Sequence, residues 1–543
     1  MKDLFLTRPL SSLAKVFADE YPPYREMKTL TGFTNEPLAF QIAYCADSDQ
    51  SDYRGVTMQV ESELKLNVYL VELTPSNMPG YPDHDSFVLR DAPGLYPDLL
   101  RPYPANGPIH AAPRQWRSAW FELEEDRPAG VYPVTVRFVR YDKVIASETV
   151  TVTIFDSALP ESGVRVTNWF HTDCLSTWYQ APVFSERYWE IVESYAACAA
   201  KHGINLLLTP VFTPALDTQI GGERPTVQLV DVTVTNGAYS FGFDKLDRWI
   251  AMCDRVGIRY FEISHLFTQW GAAHAPKIMA TVDGEYRRIF GWETDSAGPE
   301  YTAFIRAFGA AFTEYAAKKG IQDRCMLHVS DEPGLDVMDA YTNRAKLIHE
   351  SFPGYRTFDA LSSPEFYDTG AVPCPVPAVD HIEPFIERNI DGLWGYYCCG
   401  QHRKGVPNRF FNMPSVRNRV LGFLMYKYRM GGFLQWGFNF WYSQLSRYPI
   451  DPFRVSDADF AFPSGDAYEV YPGEDGKPLC SLRLKVFREA FNDLRALKLL
   501  ESKIGREKTM ELLESEGEIT FSDYPKSDAW LLSIREKVNA YFA

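Results

Sequence analysis

The first 160 residues alternate between hydrophobic and polar positions with the two-residue period of β-strands. In one run, Val134, Val136 and Phe138 point to one face, and the residues between them point to the other. The turn signals "RPAG" and "YDK" interrupt such runs, as they do between paired strands. Residues 1–160 are therefore predicted to form a β-sandwich domain.

After Pro160 the pattern changes to amphipathic helices, each followed by a short apolar run that is typical of a strand. Glycines stand at the predicted helix ends, as at Gly257 and Gly320. Strands that alternate with helices indicate a parallel sheet. Eight candidate strands begin near Arg165, Ile204, Ile258, Cys325, Tyr355, Val379, Leu393 and Phe433. Residues 161–445 are therefore predicted to form a (β/α)8 barrel of the TIM type.

Two insertions and a tail complete the predicted architecture. Residues 227–243 are predicted to form a β-hairpin, and residues 269–296 a long loop after the third strand. In the tail, Phe487, Phe491 and Leu494 follow helical spacing. Residues 446–543 are predicted to be a loop and helical extension packed on the barrel or the sandwich. The fold class is thus an α/β multidomain protein.

Charge and composition limit the classes of molecule that the protein is expected to bind. The chain has 55 Lys and Arg against 71 Asp and Glu, a formal net charge of −16, which disfavours phosphate backbones and predicts no nucleic-acid partner. No apolar stretch approaches the ~20 residues of a membrane span, so membrane insertion is not expected. The N-terminal segment lacks the apolar centre of a signal peptide, which predicts a cytoplasmic protein. The nine cysteines show no C-x-x-C and no metal-like spacing with histidine, so neither a metal nor a cofactor is expected.

Polar and aromatic residues cluster at the predicted carboxyl ends of the strands, where barrel enzymes place their active sites. Grouped by strand, they are His171 (strand one), Glu262 and His265 (strand three), Asp331 and Glu332 (strand four), Trp394 and Tyr396 (strand seven), and Trp436 and Asn439 (strand eight). Each alone is as compatible with a structural role as with ligand binding. Their convergence on one rim favours a site.

The pair Asp331–Glu332 stands in "HVSDEPG", directly before a proline. A solvated turn would explain it, but so would a division of catalytic labour. Most retaining glycosidases place two carboxyl groups about 5–5.5 Å apart across the sugar ring, which adjacent side chains rarely do because they diverge. Substrate-assisted hydrolysis instead needs one general acid and one carboxylate that orients a 2-acetamido group. Glu332 would then be protonated and Asp331 ionised.

The segments "HVSDEP", "NMPSVRNRVLGFLMYKYRMGGFLQWGFNFWYSQLS" and "FPSGDAYEVYPGEDGKPLCSLRLKVFREAFNDLRALKLL" resemble glycoside hydrolase family 123 and the related domain of unknown function 4091. The resemblance implies an exo-acting β-N-acetylgalactosaminidase with a β-sandwich ahead of a (β/α)8 barrel. It also implies that Asp331 orients the acetamido group and that Glu332 is the acid/base. The implied substrate is a carbohydrate with a terminal β-linked N-acetylgalactosamine, on a glycolipid or an oligosaccharide.

Two other functions remain open at this stage. One is an ordinary retaining glycosidase in which Glu332 is the acid and Glu262 or Asp359 the nucleophile. The other is a protein that binds glycans without cleaving them. In either case the predicted sugar contacts are aromatic walls from Trp394 and Trp436, with Trp436 favoured over Trp441, and polar partners from Tyr396, Asn439 and His171. The predicted ligands of the C4 hydroxyl are Glu262, His265 and Arg409, although Arg409 fits a structural ion pair equally well.

Overall fold

The computed structural model describes residues 4–47 and 53–543. Its N-terminal region is built from strands. These are β1 (Leu4–Ser11), β2 (Thr29–Phe33), β3 (Leu38–Asp47), β4 (Thr57–Glu61), β5 (Leu66–Ser76), β6 (Gly94–Pro102), β7 (Trp116–Leu123), β8 (Gly130–Arg140) and β9 (Lys143–Phe155). One sheet has the order β1-β3-β7-β5-β6 and is antiparallel throughout. The other has the order β2-β9-β8-β4, in which only β2 and β9 run parallel.

One buried hydrophobic cluster lies between these two sheets. Phe40 and Phe121 of the first sheet stack with ring centroids 5.1 Å apart. They belong to the same buried cluster as Val134, Val136 and Phe138 of β8 in the second sheet. The face predicted from the alternation is therefore the buried one, and the predicted β-rich N-terminal region is confirmed.

The central region alternates strands and helices. Its elements are β10 (Arg165–Asn168), α1 (Thr172–Tyr179), α2 (Glu186–Lys201), β11 (Leu206–Thr209), β12 (Asp231–Thr235), β13 (Ala238–Gly242), α3 (Asp244–Val256), β14 (Tyr260–Ile263), β15 (Ile278–Val282), β16 (Glu285–Phe290), α4 (Pro299–Lys319), β17 (Cys325–Leu327), α5 (Met338–Ser351), β18 (Arg356–Leu361), α6 (Glu365–Asp368), β19 (Cys374–Pro377), α7 (Glu383–Glu387), α8 (Val416–Arg419), α9 (Leu421–Lys427) and β20 (Gly432–Gln435). Five strands form a parallel sheet in the order β11-β14-β17-β18-β19, and β10 pairs in parallel with β20. The mixed α/β architecture predicted from the sequence is thus confirmed.

The predicted strands agree with the structure at six positions and differ at two. β10, β11, β14, β17, β18 and β20 begin within two residues of the predicted starts. The sixth prediction, near Val379, is wrong, because the strand is β19, whose sequence "CPVP" contains two prolines without N–H donors. The seventh, near Leu393, is reduced to isolated bridges of Tyr396 with Ala378 and Leu434.

The helix ends follow the predicted glycines. Gly257 ends α3 and Gly320 ends α4, with φ of 89° and 67°. Glycine is favoured there because a Cβ disfavours the left-handed region.

One of the two insertions differs from its prediction. The expected hairpin is β12 and β13, which pair antiparallel. The expected loop of residues 269–296 instead contains the hairpin β15–β16, and β15 pairs with β12. The sequence carries a signal for this hairpin, the Asp-Gly pair at residues 283 and 284. In the structure both residues have positive φ, as a two-residue hairpin turn requires.

The C-terminal region contains β21 (Val470–Pro472), β22 (Pro478–Cys480), α10 (Leu482–Ile504), α11 (Arg506–Leu513) and α12 (Asp528–Ala540). The predicted tail helix is α10, which begins after Ser481, whose hydroxyl accepts the Leu484 N–H. Buried ion pairs attach α10 to both preceding regions: Lys485 pairs with Glu122 of β7, and Asp493 pairs with Arg419 of α8. Within the described ranges, none of the helices has the length and apolar content needed to cross a bilayer.

Candidate active site

A cavity of about 140 Å³ lies at the carboxyl ends of the parallel strands. Residues from several strand ends surround it: Trp169, His171, Asp331, Glu332, Tyr396 and Trp436. Larger cavities lie elsewhere in the described part of the chain: about 790 Å³ at the amino ends of the strands, about 1120 Å³ between the N-terminal strands and α12, and about 520 Å³ beside α9 and α10. None of these three contains the Asp331–Glu332 pair, so chemistry and not size identifies the candidate site.

The backbone at Glu332 adopts a conformation that is unusual for a glutamate. Its φ is +43°, in the left-handed region that costs an L-residue roughly 1–2 kcal/mol. Two hydrogen bonds hold the turn, because the Glu332 N–H donates to the Ala360 carbonyl at 3.1 Å and the Asp331 carbonyl accepts the Trp270 N–H at 2.9 Å. Strain of this kind persists where surrounding contacts enforce it, and it is common in active sites.

The Glu332 side chain is placed and tuned by its neighbours. The Tyr396 hydroxyl donates to Glu332 Oε1 at 2.5 Å. Glu332 keeps an exposed surface in the cleft, yet the surrounding protein removes part of its hydration and raises its pKa. The Tyr396 hydrogen bond opposes this rise, and the charge of Asp380 adds to it. A carboxyl group with a raised pKa is suited to donate a proton at neutral pH.

Asp331 differs from the prediction that it stays ionised. Burial raises its pKa well above the usual range, and the neighbouring charge of Glu332 raises it further. The charge of His328 opposes this rise. The side chain is nevertheless partly exposed and lines the cavity. It can therefore accept a hydrogen bond from an N–H or O–H group of a ligand.

A buried charge network lies beneath this pair. His328 contacts Glu262 Oε1 through Nε2 at 2.6 Å and Asp359 Oδ1 through Nδ1 at 2.8 Å. The two carboxylates raise the pKa of His328 to about 9 against the opposing effect of burial. Glu262 also accepts the Trp169 indole N–H at 2.7 Å, which connects the network to a cavity wall. All three charged residues are at most 1% exposed.

This network changes the roles of three predicted residues. Glu262 and Asp359 are fully committed to His328 and other donors and do not line the cavity. His265 stacks on His328 with ring centroids 3.9 Å apart, and burial lowers its pKa, so it is neutral. The predictions that Glu262 and His265 contact the sugar are therefore not supported. Their side chains point into the protein interior below the cavity. Strand periodicity alone does not distinguish such side chains from those that face the cavity.

His328→Gln is expected to lower the free energy of unfolding most at about pH 6 and least near pH 9, by up to about 3 kcal/mol. A pKa raised from 6.5 to about 9 stabilises the fold fully below 6.5, and this stabilisation is lost as the pH rises through the folded value. Urea unfolding at the two pH values measures the difference. His349→Gln, which removes a half-buried histidine with one hydroxyl partner, is the matched control. A pH-independent effect of His328→Gln would contradict the charged state.

His171 lines the cavity in a single tautomer. An Arg224 guanidinium N–H donates to its Nδ1 at 3.0 Å, so its Nε2 carries the proton and donates to the Trp436 carbonyl at 3.1 Å. Burial first and Arg224 second lower its pKa to about 3, so the ring is neutral. Asn439, a predicted sugar ligand, instead bonds the His171 backbone in both directions and is fully buried. Asn439 therefore positions His171 and does not reach the cavity.

The three predicted tryptophans occupy different positions, and Trp436 and Trp441 both follow the end of β20. Trp436 lines the cavity, and its indole N–H donates to Asp466 Oδ2 at 2.9 Å. Trp441 is buried away from the cavity, where it donates to the Val470 carbonyl. Trp394 lines the 790 Å³ cavity at the opposite end of the strands, so the prediction that it walls the sugar pocket is not supported. It precedes Tyr396 by two residues, which places it on the same face but one pleat deeper.

Arg409 has the structural role that the sequence left open. It is buried and forms an ion pair with Glu469. It also donates to the Gly437 carbonyl at 2.8 Å. The guanidinium does not line the cavity, so it is not available to a ligand hydroxyl.

Several cavity residues were not identified from the sequence. The main ones are Asp217, Gln269, Trp270 and Phe462. Burial raises the pKa of Asp217 to about 6, and its carboxylate accepts the Leu445 N–H at 3.0 Å. Trp270 is 55% exposed at the cavity edge. These residues lie on loops outside the strand ends, where no periodicity marks them.

Known proteins resemble this chain in family profile and in fold. The family profile described as glycoside hydrolase 123, catalytic domain, matches residues 169–500. A family 123 glycoside hydrolase from Clostridium perfringens, solved in a study of glycolipid glycan hydrolysis, superposes with a TM-score of 0.76 at 14% identity, covering 99% of this chain and 98% of its own. A family 39 glycoside hydrolase from Bacteroides cellulosilyticus WH2 covers 87% and 82% at 9% identity, with a TM-score of 0.33. No curated protein sequence matches the chain.

Proposed function

The chain belongs to glycoside hydrolase family 123, and from this premise we propose that it is an exo-acting, retaining β-N-acetylgalactosaminidase. The observation that carries the proposal is the arrangement of the adjacent carboxyls Asp331 and Glu332. Glu332 has a raised pKa and is held by Tyr396 at the cleft opening. Asp331 faces the same cavity and has an acceptor free for a ligand donor. These are the two groups that substrate-assisted hydrolysis requires.

In the proposed reaction, the 2-acetamido oxygen bonds to the anomeric carbon as the glycosidic bond breaks. Glu332 transfers its proton to the leaving oxygen. Asp331 accepts the acetamido N–H, and the positive charge developing on the new five-membered ring favours the ionised form of Asp331. Water then attacks the anomeric carbon and gives a proton to Glu332, so two inversions retain the configuration. The acetamido group is regenerated in the released sugar.

The alternative with an enzymic nucleophile loses support. Its candidates were Glu262 and Asp359, and both are at most 1% exposed and bonded to His328. In retaining glycosidases with an enzymic nucleophile, the two carboxyl groups stand about 5–5.5 Å apart across the sugar ring, so the nucleophile must line the cavity. Neither group lies on the cavity surface. The 2-acetamido oxygen is therefore the better-supported nucleophile.

The proposed sugar contacts are those predicted residues that line the cavity. The Trp436 ring provides an apolar wall for the axial C–H groups of a hexose. His171 is held in one tautomer by Arg224 and Trp436, so it offers a rigid edge. Asp217, with its raised pKa, replaces Glu262, His265 and Arg409 as the proposed partner of a sugar hydroxyl. The proposed substrates carry a terminal β-linked N-acetylgalactosamine on a glycolipid or oligosaccharide.

The architecture proposed for this function is a β-sandwich (1–160), a closed (β/α)8 barrel (161–445) and a helical extension (446–543). Supporting closure, Tyr396 bridges in parallel to Ala378 on one side and Leu434 on the other. The Asn205 N–H, just before β11, donates to the Val166 carbonyl of β10 at 3.1 Å. These bonds connect the two parallel sheets at both edges.

The enzyme is expected to hydrolyse nitrophenyl β-N-acetylgalactosaminide with a kcat/KM at least about tenfold above that for the β-N-acetylglucosaminide. A site that bonds the axial C4 hydroxyl leaves buried groups unpaired against the equatorial one. The β-galactoside, which lacks the acetamido group, should not be cleaved. Glu332→Gln protein prepared in parallel is the control for contaminating activity. A ratio near one would contradict the galacto preference, and cleavage of the β-galactoside would contradict substrate assistance.

A further inference from the structure

Two cysteines and a histidine meet outside the candidate active site. Cys198 and His202 stand four residues apart at the end of α2, which places them on one face of the helix. Cys480, the last residue of β22, approaches them from 282 residues further along the chain. We call Cys198, His202 and Cys480 the thiol–imidazole cluster. One ligand atom of each lies within 4.8 Å of the other two.

The spacing in this cluster fits a tetrahedral metal ion. The two Sγ atoms are 3.8 Å apart. Sulfurs bound to one tetrahedral zinc at about 2.3 Å are separated by about 3.8 Å, whereas a disulfide needs about 2.05 Å. His202 Nε2 lies 4.0 Å from the Cys480 Sγ, slightly longer than the sulfur–nitrogen edge of about 3.6 Å in such a site. The Cys198 Sγ lies 3.7 Å from Nδ1 of the same ring, so a rotation of the Cys198 side chain is needed to bring its sulfur toward Nε2.

The imidazole of His202 is oriented as metal-binding histidines are. Its Nδ1 lies 2.7 Å from the Cys198 carbonyl oxygen, so Nδ1 carries the proton and donates to it. Nε2 then holds the lone pair. Histidine ligands commonly donate their other ring N–H to a backbone carbonyl, which fixes the tautomer and the ring plane.

The local charge favours thiolate. Lys485 and Arg488 share the single carboxylate of Glu122, which leaves one positive charge in excess near Cys480. Both cysteines are partly exposed, so an ion has access from solvent. Thiolate and neutral imidazole together select zinc over hard cations.

We propose that Cys198, His202 and Cys480 bind one Zn²⁺ ion, with its fourth position open to water. The ion joins the end of α2 to β22 and so connects the central region to the strand that precedes α10. Glu122 of β7, held by Lys485 and Arg488, places the N-terminal sheet beside the same point. The ion would cross-link these elements, and the site is independent of the proposed glycosidase reaction. The sequence predicted no metal because the third ligand is distant along the chain.

Cobalt substitution tests this site directly. Reduced, chelator-treated wild-type chain is titrated with Co²⁺ and its absorption spectrum recorded. One equivalent is expected to produce thiolate-to-cobalt charge-transfer bands in the near ultraviolet and intense d–d bands typical of tetrahedral cobalt. Added Zn²⁺ should abolish these bands and raise the melting temperature. Absence of the bands in reduced wild-type protein would overturn the proposal.

Variants assign the ligands. Cys480→Ser is expected to remove the charge-transfer bands or halve them, and His202→Gln to shift the d–d bands, while Cys374→Ser, a cysteine outside the cluster, should leave both unchanged. If Cys480→Ser does not fold, Cys198→Ser provides the same reading. Bands that persist unchanged in both cysteine variants would overturn the assignment. A disulfide between Cys198 and Cys480 would also overturn the assignment, if peptide mapping shows that it re-forms faster than zinc binds.

Discussion

Glu332→Gln is expected to reduce kcat on a natural β-N-acetylgalactosaminide about 10²–10⁴-fold, the usual contribution of a general acid. The amide cannot protonate the leaving oxygen, and an alkoxide leaves poorly without a proton. Tyr396 can still bond the side-chain oxygen of the variant, so the turn at residue 332 should be preserved. Steady-state kinetics on a disaccharide and on an activated aryl glycoside provide the measurement.

The contrast between the two substrates separates acid catalysis from a general loss of structure. An aryl leaving group with a low pKa needs little protonation, so Glu332→Gln should retain far more activity on it. Glu365→Gln removes an exposed carboxylate outside the site and should match the wild type on both substrates. Equal activity of Glu332→Gln and wild type on the disaccharide would exclude Glu332 as the acid.

Asp331→Asn is expected to reduce kcat/KM on acetamido substrates about 10²–10³-fold, as loss of one well-placed electrostatic group typically does. Inhibition by a thiazoline that mimics the cyclic intermediate should weaken in parallel, because the same carboxylate stabilises the positive ring. An amide oxygen still accepts the N–H, but it carries no negative charge.

Stability distinguishes this role from a structural one. Burial disfavours the charge of Asp331, so replacing it with a neutral amide should leave the melting temperature unchanged or slightly raised. Asp336→Asn, an exposed carboxylate in the same loop, is the matched control. A melting temperature lowered by many degrees, or a thiazoline affinity equal to that of the wild type, would contradict the assignment.

Selecting residues at the predicted strand ends identified part of the candidate site. It selected Asp331, Glu332, His171, Tyr396 and Trp436, all of which line one cavity. The other five predicted residues lie elsewhere: Glu262, His265, Trp394, Arg409 and Asn439. All five are buried beneath or behind the site. A residue near a strand end can face the cavity, a buried network or the opposite end of the parallel strands, and these positions differ by one pleat or one loop turn.

The elements of the fold also divide into those that the local sequence predicted and those that it missed. Periodicity by itself determined the β-rich N-terminal region, most of the parallel strands and the glycine-ended helices, because these follow from interactions between residues close in sequence. It missed β15 and β16 and displaced β19, where a short turn and two prolines obscure the pattern.

Only the tertiary structure decided which residues share a site. His328 meets Glu262 and Asp359 across 66 and 31 residues, and Cys480 meets Cys198 across 282. Such contacts form only when the fold brings distant segments of the chain together. The pKa shifts that they cause also depend on the exclusion of water from the folded interior. The sequence by itself determined the adjacent pair Asp331–Glu332 and the type of element that carries it. The left-handed turn at Glu332, the bond from Tyr396 and the buried charge below exist only once distant strands are packed side by side, because hydration is lost and hydrogen-bond partners are supplied at that step.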